Sequence, residues 1–206
     1  MTISNIEIVG VLFYLISVYF AVTVNKLTWL FSIIGQSCYF ILYLTATAYS
    51  NAALQIFFIY YCIMGWIFWK KTDVTFIRSL PYSNRKTLAI LIYVAIVVFG
   101  FFIQNIDHIF SIAPATFPFT DVTITILSIA AVILIAYKYI ESWFIWILAN
   151  ILTAIMCYYL GYYILAGSNI ILMVMSFYGY KNWKRKLGVF VPFDNKLTGL
   201  KFTEKE

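Results

Sequence analysis

The sequence predicts an all-α polytopic membrane protein whose seven transmembrane helices form a parallel 3+1+3 repeat. Three observations carry that expectation. Of the 206 residues, 64% are hydrophobic and only 11% charged, with a mean hydropathy of +0.92; ordinary soluble domains run at ~45–50% apolar and ~25% charged. Seven apolar stretches approach the ~20 residues that a spanning helix needs. The chain also matches itself at its rarest residue types when slid by 114 residues. Together these exclude a soluble enzyme, a disordered chain and a secreted disulfide scaffold, and they leave almost nothing for an extramembrane domain.

Taken in order, the spans fall at about 6–24, 30–48, 52–69, 87–103, 121–138, 143–160 and 165–183. The amino terminus Met1-Thr2-Ile3-Ser4-Asn5 has no basic n-region, so the first apolar run reads as a span and not as a cleaved signal. Asn25-Lys26 breaks the first pair and Ser50-Asn51 the second. A polar basic segment from Lys70 to Lys86, containing Pro81 and Asn84, precedes the fourth span. Gln104 to Thr120, with Asp107, His108, Pro114 and Pro118, separates the fourth from the fifth. The resulting division is a first three-helix unit over 1–71, a connector region over 72–120, a second three-helix unit over 121–186 and a polar tail over 187–206.

Alternating the spans across the bilayer places all 14 basic residues, from Lys26 to Lys205, on one side. Cytoplasmic loops collect Lys and Arg, so that side is expected to be cytosolic, with the amino terminus outside and the carboxyl terminus inside. The net charge of +6 therefore reports topology and gives no reason to expect nucleic acid. Glu7, Asp107 and Asp121 leave the opposite mouth mildly acidic and receptive to a cation.

Under the 114-residue shift Trp29 falls on Trp143, Gly65 on Gly179, Trp69 on Trp183 and Lys70 on Lys184. Aliphatic matches carry no weight in so apolar a chain, but the polar ones do: Glu7 falls on Asp121, Gln36 on Asn150 and Gln55 on Asn169. Spans 1–3 thus correspond to spans 5–7, with span 4 as connector. Three helices plus one make both units point the same way, and in such folds the substrate site lies near the midplane between the repeats.

This layout, the Gly65-Trp66-Ile67-Phe68-Trp69 ending of the third span, its echo Gly179-Tyr180-Lys181-Asn182-Trp183, and the stretch from Glu141 to Asn150 containing Trp143, Trp146 and Asn150 resemble the PnuC family of bacterial vitamin transporters. That family is similar in layout to the SWEET sugar transporters. The resemblance covers about residues 6–186, and the WxxWxxxN stretch is its most specific piece. It implies facilitated uptake of nicotinamide riboside across the bacterial inner membrane, with trapping by a cytosolic kinase. Some relatives carry thiamine. No cofactor is implied, and assembly into a homo-oligomer stays open.

Trp143, Trp146 and Asn150, at i, i+3 and i+7, share one helical stripe, and Trp29 and Gln36 repeat part of it. Indole faces attract cations, and both nicotinamide riboside and thiamine carry a cationic aromatic ring. Amides inside the bilayer are costly; Gln36, Asn150, Gln55 and Asn169, as two repeat-related pairs, are expected to line one central cavity instead of only joining helices. Tyr39, Tyr61 and Tyr178 are the tyrosines available for stacking or hydroxyl contacts. Trp69 and Trp183, each beside a lysine, read as interfacial belt residues, whereas Trp143 fits belt and site equally. Glu141 sits where a helix macrodipole favours an anion.

Several absences narrow the chemistry. Cys38, Cys62 and Cys157 all lie in apolar runs and define no disulfide framework. His108 is the sole histidine, and no metal-ligand spacing accompanies it. No Asp, Glu, Lys, Arg or His falls in the middle third of any expected span, which argues against ion coupling and against an intramembrane enzyme. The remaining expectations are a uniporter of a small cationic vitamin precursor, a sugar facilitator, or a membrane scaffold without transport.

Overall fold

The computed structural model describes residues 3–45, 49–71, 77–105 and 117–187. These form seven helices: α1 (Ile3–Val22), α2 (Leu27–Thr45), α3 (Tyr49–Lys71), α4 (Tyr82–Gln104), α5 (Pro118–Ala136), α6 (Ser142–Tyr159) and α7 (Tyr163–Lys186). All seven are long and apolar enough to cross a membrane. At ~1.5 Å per residue the shortest spans about 27 Å and the longest about 36 Å, bracketing the ~30 Å hydrocarbon layer. Only a helix satisfies every backbone amide within its own segment in such a layer, apart from a closed barrel.

The expected and observed ends differ most where charge interrupts hydropathy. Helix α4 starts at Tyr82, directly after Pro81, with Ser83, Asn84, Arg85 and Lys86 in its first turns. Helix α7 continues through Lys184, Arg185 and Lys186. Polar residues leave the hydrocarbon there, but backbone hydrogen bonding does not stop with them, and cations near the last carbonyls of α7 are favoured by its dipole. Asp107, His108 and the tail beyond residue 187 lie outside the described residues.

The turns that close α1 and α5 share one hydrogen-bond pattern. Val24 N–H donates to Ala21 O and Asn25 N–H to Phe20 O; 114 residues on, Lys138 N–H donates to Ile135 O and Tyr139 N–H to Leu134 O, all between 2.8 and 3.0 Å. These paired backward bonds define a Schellman cap, whose first residue beyond the helix must be left-handed. Val24 (φ 62°) and Lys138 (φ 60°) fill that position, at a cost of order 1–3 kcal/mol each relative to a relaxed backbone. Both are almost fully buried, so packing holds them there. Gly161 (φ 79°) makes the same cap between α6 and α7 without that cost.

Six helices close a ring in which each packs on two neighbours, in the order α1, α2, α3, α5, α6, α7 and back to α1. The α1/α7 contact is the counterpart of the α5/α3 contact under the 114-residue shift. Helix α4 stands outside the ring against α5, where Gly100 accommodates the Phe119 ring and Phe101 meets it edge-on at 5.7 Å. Its other faces, with Ile90, Leu91, Val98 and Phe102, are exposed and apolar, as a lipid-facing helix should be.

The buried core sits at the basic end of the ring and corrects the belt assignment of two tryptophans. Trp69 is 1% exposed and Trp183 is 0% exposed. Trp69 Nε1 donates to Ala136 O at 2.9 Å, and Trp183 Nε1 donates to Ala21 O at 3.0 Å. Those carbonyls belong to the last turns of α5 and α1, where the helix offers no i+4 amide; Ala21 O accepts from Val24 N–H of the cap as well. Each indole therefore ties the end of one helix to its ring neighbour. Asn182 Nδ2 adds a bond to Val22 O at 2.6 Å.

Glu141 also differs from expectation. It caps no amide of its own helix; Oε1 accepts from Leu80 N–H at 3.1 Å and Ser79 Oγ–H at 3.0 Å and pairs with Arg85 Nη2 at 2.9 Å. With Arg78 N–H donating to Lys138 O and Ile140 N–H to Arg78 O, it fastens the entry to α4 onto the α5–α6 turn.

Candidate functional site

Inside the ring lies a cavity of about 270 Å³, walled by all six ring helices and not by α4. Helical periodicity delivers the wall. Along α2 it takes Trp29, Ser32, Gln36, Tyr39 and Tyr43; along α3, Gln55, Phe58 and Cys62; along α6, Trp143, Trp146 and Asn150. Steps of three and four residues keep each set on one helical face. Helix α1 adds Tyr14 and Ser17, α5 adds Ser128, and α7 adds Ser168, Asn169 and Ser176.

Positions 114 residues apart recur on opposite walls: Trp29 with Trp143, Gln36 with Asn150, Gln55 with Asn169, Ser32 with Trp146, Tyr14 with Ser128, and Phe58 with Leu172. Eight residues expected at a site, Trp29, Gln36, Tyr39, Gln55, Trp143, Trp146, Asn150 and Asn169, line this one cavity. Two do not. Tyr61 packs against Phe57 with ring centroids 4.6 Å apart, beside the core. Tyr178 is exposed on the outer surface of α7. Tyr14, Ser32, Tyr43, Phe58 and Ser128 were missed, although Ser32 was legible as the repeat partner of Trp146.

The floor of the cavity is a run of four indoles. Trp29 meets Trp69 edge-on at 5.4 Å, Trp69 lies 6.1 Å from Trp183, and Trp183 meets Trp143 edge-on at 5.4 Å. Glycine makes room for it on both sides. A Cβ on Gly65 would stand 2.5 Å from Trp29 Cζ2, and one on Gly179 would stand 2.6 Å from Trp143 Cε3. The repeat glycines of the sequence are thus pads beneath the repeat tryptophans.

Chemically the wall is neutral, aromatic and rich in amides; among the described residues no Asp, Glu, Lys, Arg or His lines it. Asn169 Nδ2 is held by Leu165 O of its own helix at 2.8 Å, not by a neighbouring helix. Trp29 Nε1, Trp143 Nε1 and Gln55 Oε1 are buried without a hydrogen-bond partner in the protein. Each such group costs folding ~1–3 kcal/mol. Among the described residues there is no cluster of three or more His, Cys, Asp or Glu suited to a metal ion.

Fold and cavity define the class: a polytopic, all-helical membrane protein with a small-molecule-sized cavity enclosed by six of its spans. The sequence profile of the nicotinamide mononucleotide transporter family matches residues 4–185, and the chain belongs to that family. It is 25% identical over 204 residues to the nicotinamide riboside transporter PnuC of Escherichia coli (strain K12), covering 88% of this chain and 85% of the relative, and the same figures hold for PnuC of Shigella flexneri. The crystal structure of the vitamin B3 transporter PnuC shares its fold with a TM-score of 0.69 at 21% identity, covering 89% of this chain and 82% of that one.

Proposed function

We propose that this protein is a uniporter for nicotinamide riboside in the bacterial inner membrane, with the amino terminus outside, the carboxyl terminus in the cytosol, and a cytosolic kinase trapping the solute by phosphorylation. The observation that carries the reading is the cavity: aromatic, amide-lined and free of charge. Its ~270 Å³ lies at the small end of ligand pockets, ~300–1,000 Å³, and suits one small molecule. Indole faces would attract the pyridinium ring by ~0.5–2 kcal/mol, while Gln36, Gln55, Asn150 and Asn169 would serve the carboxamide and ribose hydroxyls. The names of the curated relatives support the same solute.

The pairing of wall positions and the twin turns at Val24 and Lys138 support a parallel 3+1+3 repeat, units 1–71 and 121–186 joined through 72–120. In this reading the two units rock about the cavity. The four-indole floor holds it closed toward the basic, cytosolic end. A wall on which no described Asp, Glu, Lys, Arg or His stands supports uncoupled movement and a non-enzymatic role. An assembly of several copies is compatible with this arrangement, since each chain encloses a whole cavity.

Thermal shifts of purified protein with nicotinamide riboside, thiamine, riboflavin and glucose test the proposal, because a ligand that binds only the folded state raises its melting temperature. Stabilisation by nicotinamide riboside above the others is the expected result. Thiamine in first place would move the assignment to that vitamin, and glucose in first place would favour a sugar facilitator.

A further inference from the structure

The face of α7 turned away from the cavity carries a groove of about 330 Å³, lined by Ile147 of α6 and by Met173, Val174, Phe177, Tyr178 and Lys181 of α7. Every lining residue but the last is apolar or aromatic. Val174, Phe177 and Tyr178 are exposed, so the groove opens on the lipid side of the ring.

The lysine is what the first unit lacks. Under the 114-residue shift Ile147 falls on Ile33, Phe177 on Ile63, Tyr178 on Met64 and Lys181 on Ile67, and Ile67 is exposed as well. A cation on a lipid-facing helix surface is costly unless water or a counter-charge reaches it. Among the described residues no salt bridge engages Lys181, and Glu141, the acid described at this end of the ring, is held by Arg85. Nor does the side chain of Lys181 extend past the helix end toward water: Nζ lies 5.1 Å from the Phe177 ring centroid, one turn back into the groove. Arg185 stands one turn beyond Lys181 on the same face, whereas its counterpart Lys71 has Ile67 at that position.

We infer that this groove is a binding site for an anionic phospholipid: an acyl chain lies along Ile147, Val174 and Phe177, and the phosphate is held between Lys181 and Arg185. Basic pockets between spanning helices receive charged headgroups, and a guanidinium matches phosphate bidentately while an ammonium acts as a point charge. Lys181 lies five residues before the end of α7 at Lys186, about 7.5 Å of helix, which sets the pair near the boundary of the ~30 Å hydrocarbon layer. The site is independent of which solute the cavity carries.

The test titrates full-length protein in detergent with phosphatidylglycerol or with phosphatidylcholine of the same acyl chains, reading bound lipid by native mass spectrometry and stability by melting temperature. Wild type should prefer the anionic lipid and be stabilised by it more. Lys181→Ile, which installs the residue of the first unit, should lower that preference about fivefold, the worth of one cation near the membrane surface. Lys181→Arg should keep it within about twofold, because the charge is retained, and so should Lys71→Gln, which removes a cation outside the groove. If Lys181→Ile fails to fold, Lys181→Gln removes the charge and keeps a polar side chain. The inference is overturned if wild type binds both lipids alike, if Lys181→Ile keeps the wild-type preference, or if Lys71→Gln lowers it equally, which would mean general surface charge. It is also overturned if cross-linking shows that Lys181→Ile changes the number of associated chains while lipid preference stays, since the groove would then be an interface between copies.

Discussion

At the scale of single residues, burial and hydrogen bonding separate the six tryptophans into different roles. Trp146 and Asn150 lie one turn apart on α6, and Gln36 stands at the repeat position of Asn150. Asn150→Ala and Gln36→Ala should each weaken binding of the same solute by ~0.5–1.5 kcal/mol, and by more if a ligand group is left unpaired. Trp146→Ala should cost at least as much, because stacking area and ~0.5–2 kcal/mol of cation–π attraction are lost together. Calorimetric titration reads both; wild-type affinity in all three would mean the stripe is only packing. Trp183→Phe removes one of the two N–H groups that donate to Ala21 O, leaving the bond from Val24 N–H. It should lower stability by ~0.5–1.5 kcal/mol, the net worth of one hydrogen bond, while changing affinity little. A large loss of binding with unchanged melting temperature would instead place Trp183 in contact with the solute.

At the scale of helices, the closest packing is where glycine meets indole. A methyl group on Gly179 would push into the six-membered ring of Trp143, and one on Gly65 into that of Trp29. Trp183 and Trp69, one turn beyond those glycines on the same helices, meet those rings edge-on, so a retreat of either ring disrupts an aromatic pair. Gly65→Ala and Gly179→Ala should therefore each destabilise by ~1–3 kcal/mol, the cost of overpacking, and should do so to a similar extent. Gly167, around which a Cβ would meet nothing within 4 Å, is the comparison: Gly167→Ala should be neutral or slightly stabilising through helix propensity, by up to ~1 kcal/mol. Melting temperatures of the three variants decide this, and equal losses at all three positions would contradict it.

At the scale of the whole molecule, a cavity on which no described Asp, Glu, Lys, Arg or His stands makes the membrane potential the natural drive for a cation. Moving one charge through 100 mV is worth ~2.3 kcal/mol, which corresponds to about fiftyfold accumulation. Liposomes with proton, sodium and electrical gradients collapsed should equilibrate nicotinamide riboside to equal concentrations. An inside-negative potassium diffusion potential should then draw it inward. Accumulation driven by an imposed proton or sodium gradient with the electrical potential held at zero would reveal a coupling site, and indifference to the potential would mean that the carried species is neutral. Topology has its own check: alkaline phosphatase fused after Lys186 should be inactive, and an active fusion would reverse the orientation.

Much of this was legible before any coordinates, because the bilayer leaves few choices. Hydropathy alone determined seven helices, since an apolar backbone has no alternative in lipid but to bond within its own segment. Self-comparison located the paired amides and tryptophans, because residues costly to bury stand out against aliphatic background; six of them meet in one cavity. What one-dimensional pattern could not decide was which face of each helix turns inward and what lies beneath it. Trp69 and Trp183, beside lysines at helix ends, look like belt residues until the neighbouring carbonyls of Ala136 and Ala21 come within hydrogen-bond reach. Glu141 looks like a dipole partner until Arg85 and Leu80 arrive from 56 and 61 positions away in the chain. Local sequence determines which segments cross the membrane, whereas only their packing decides which polar groups are left facing one another.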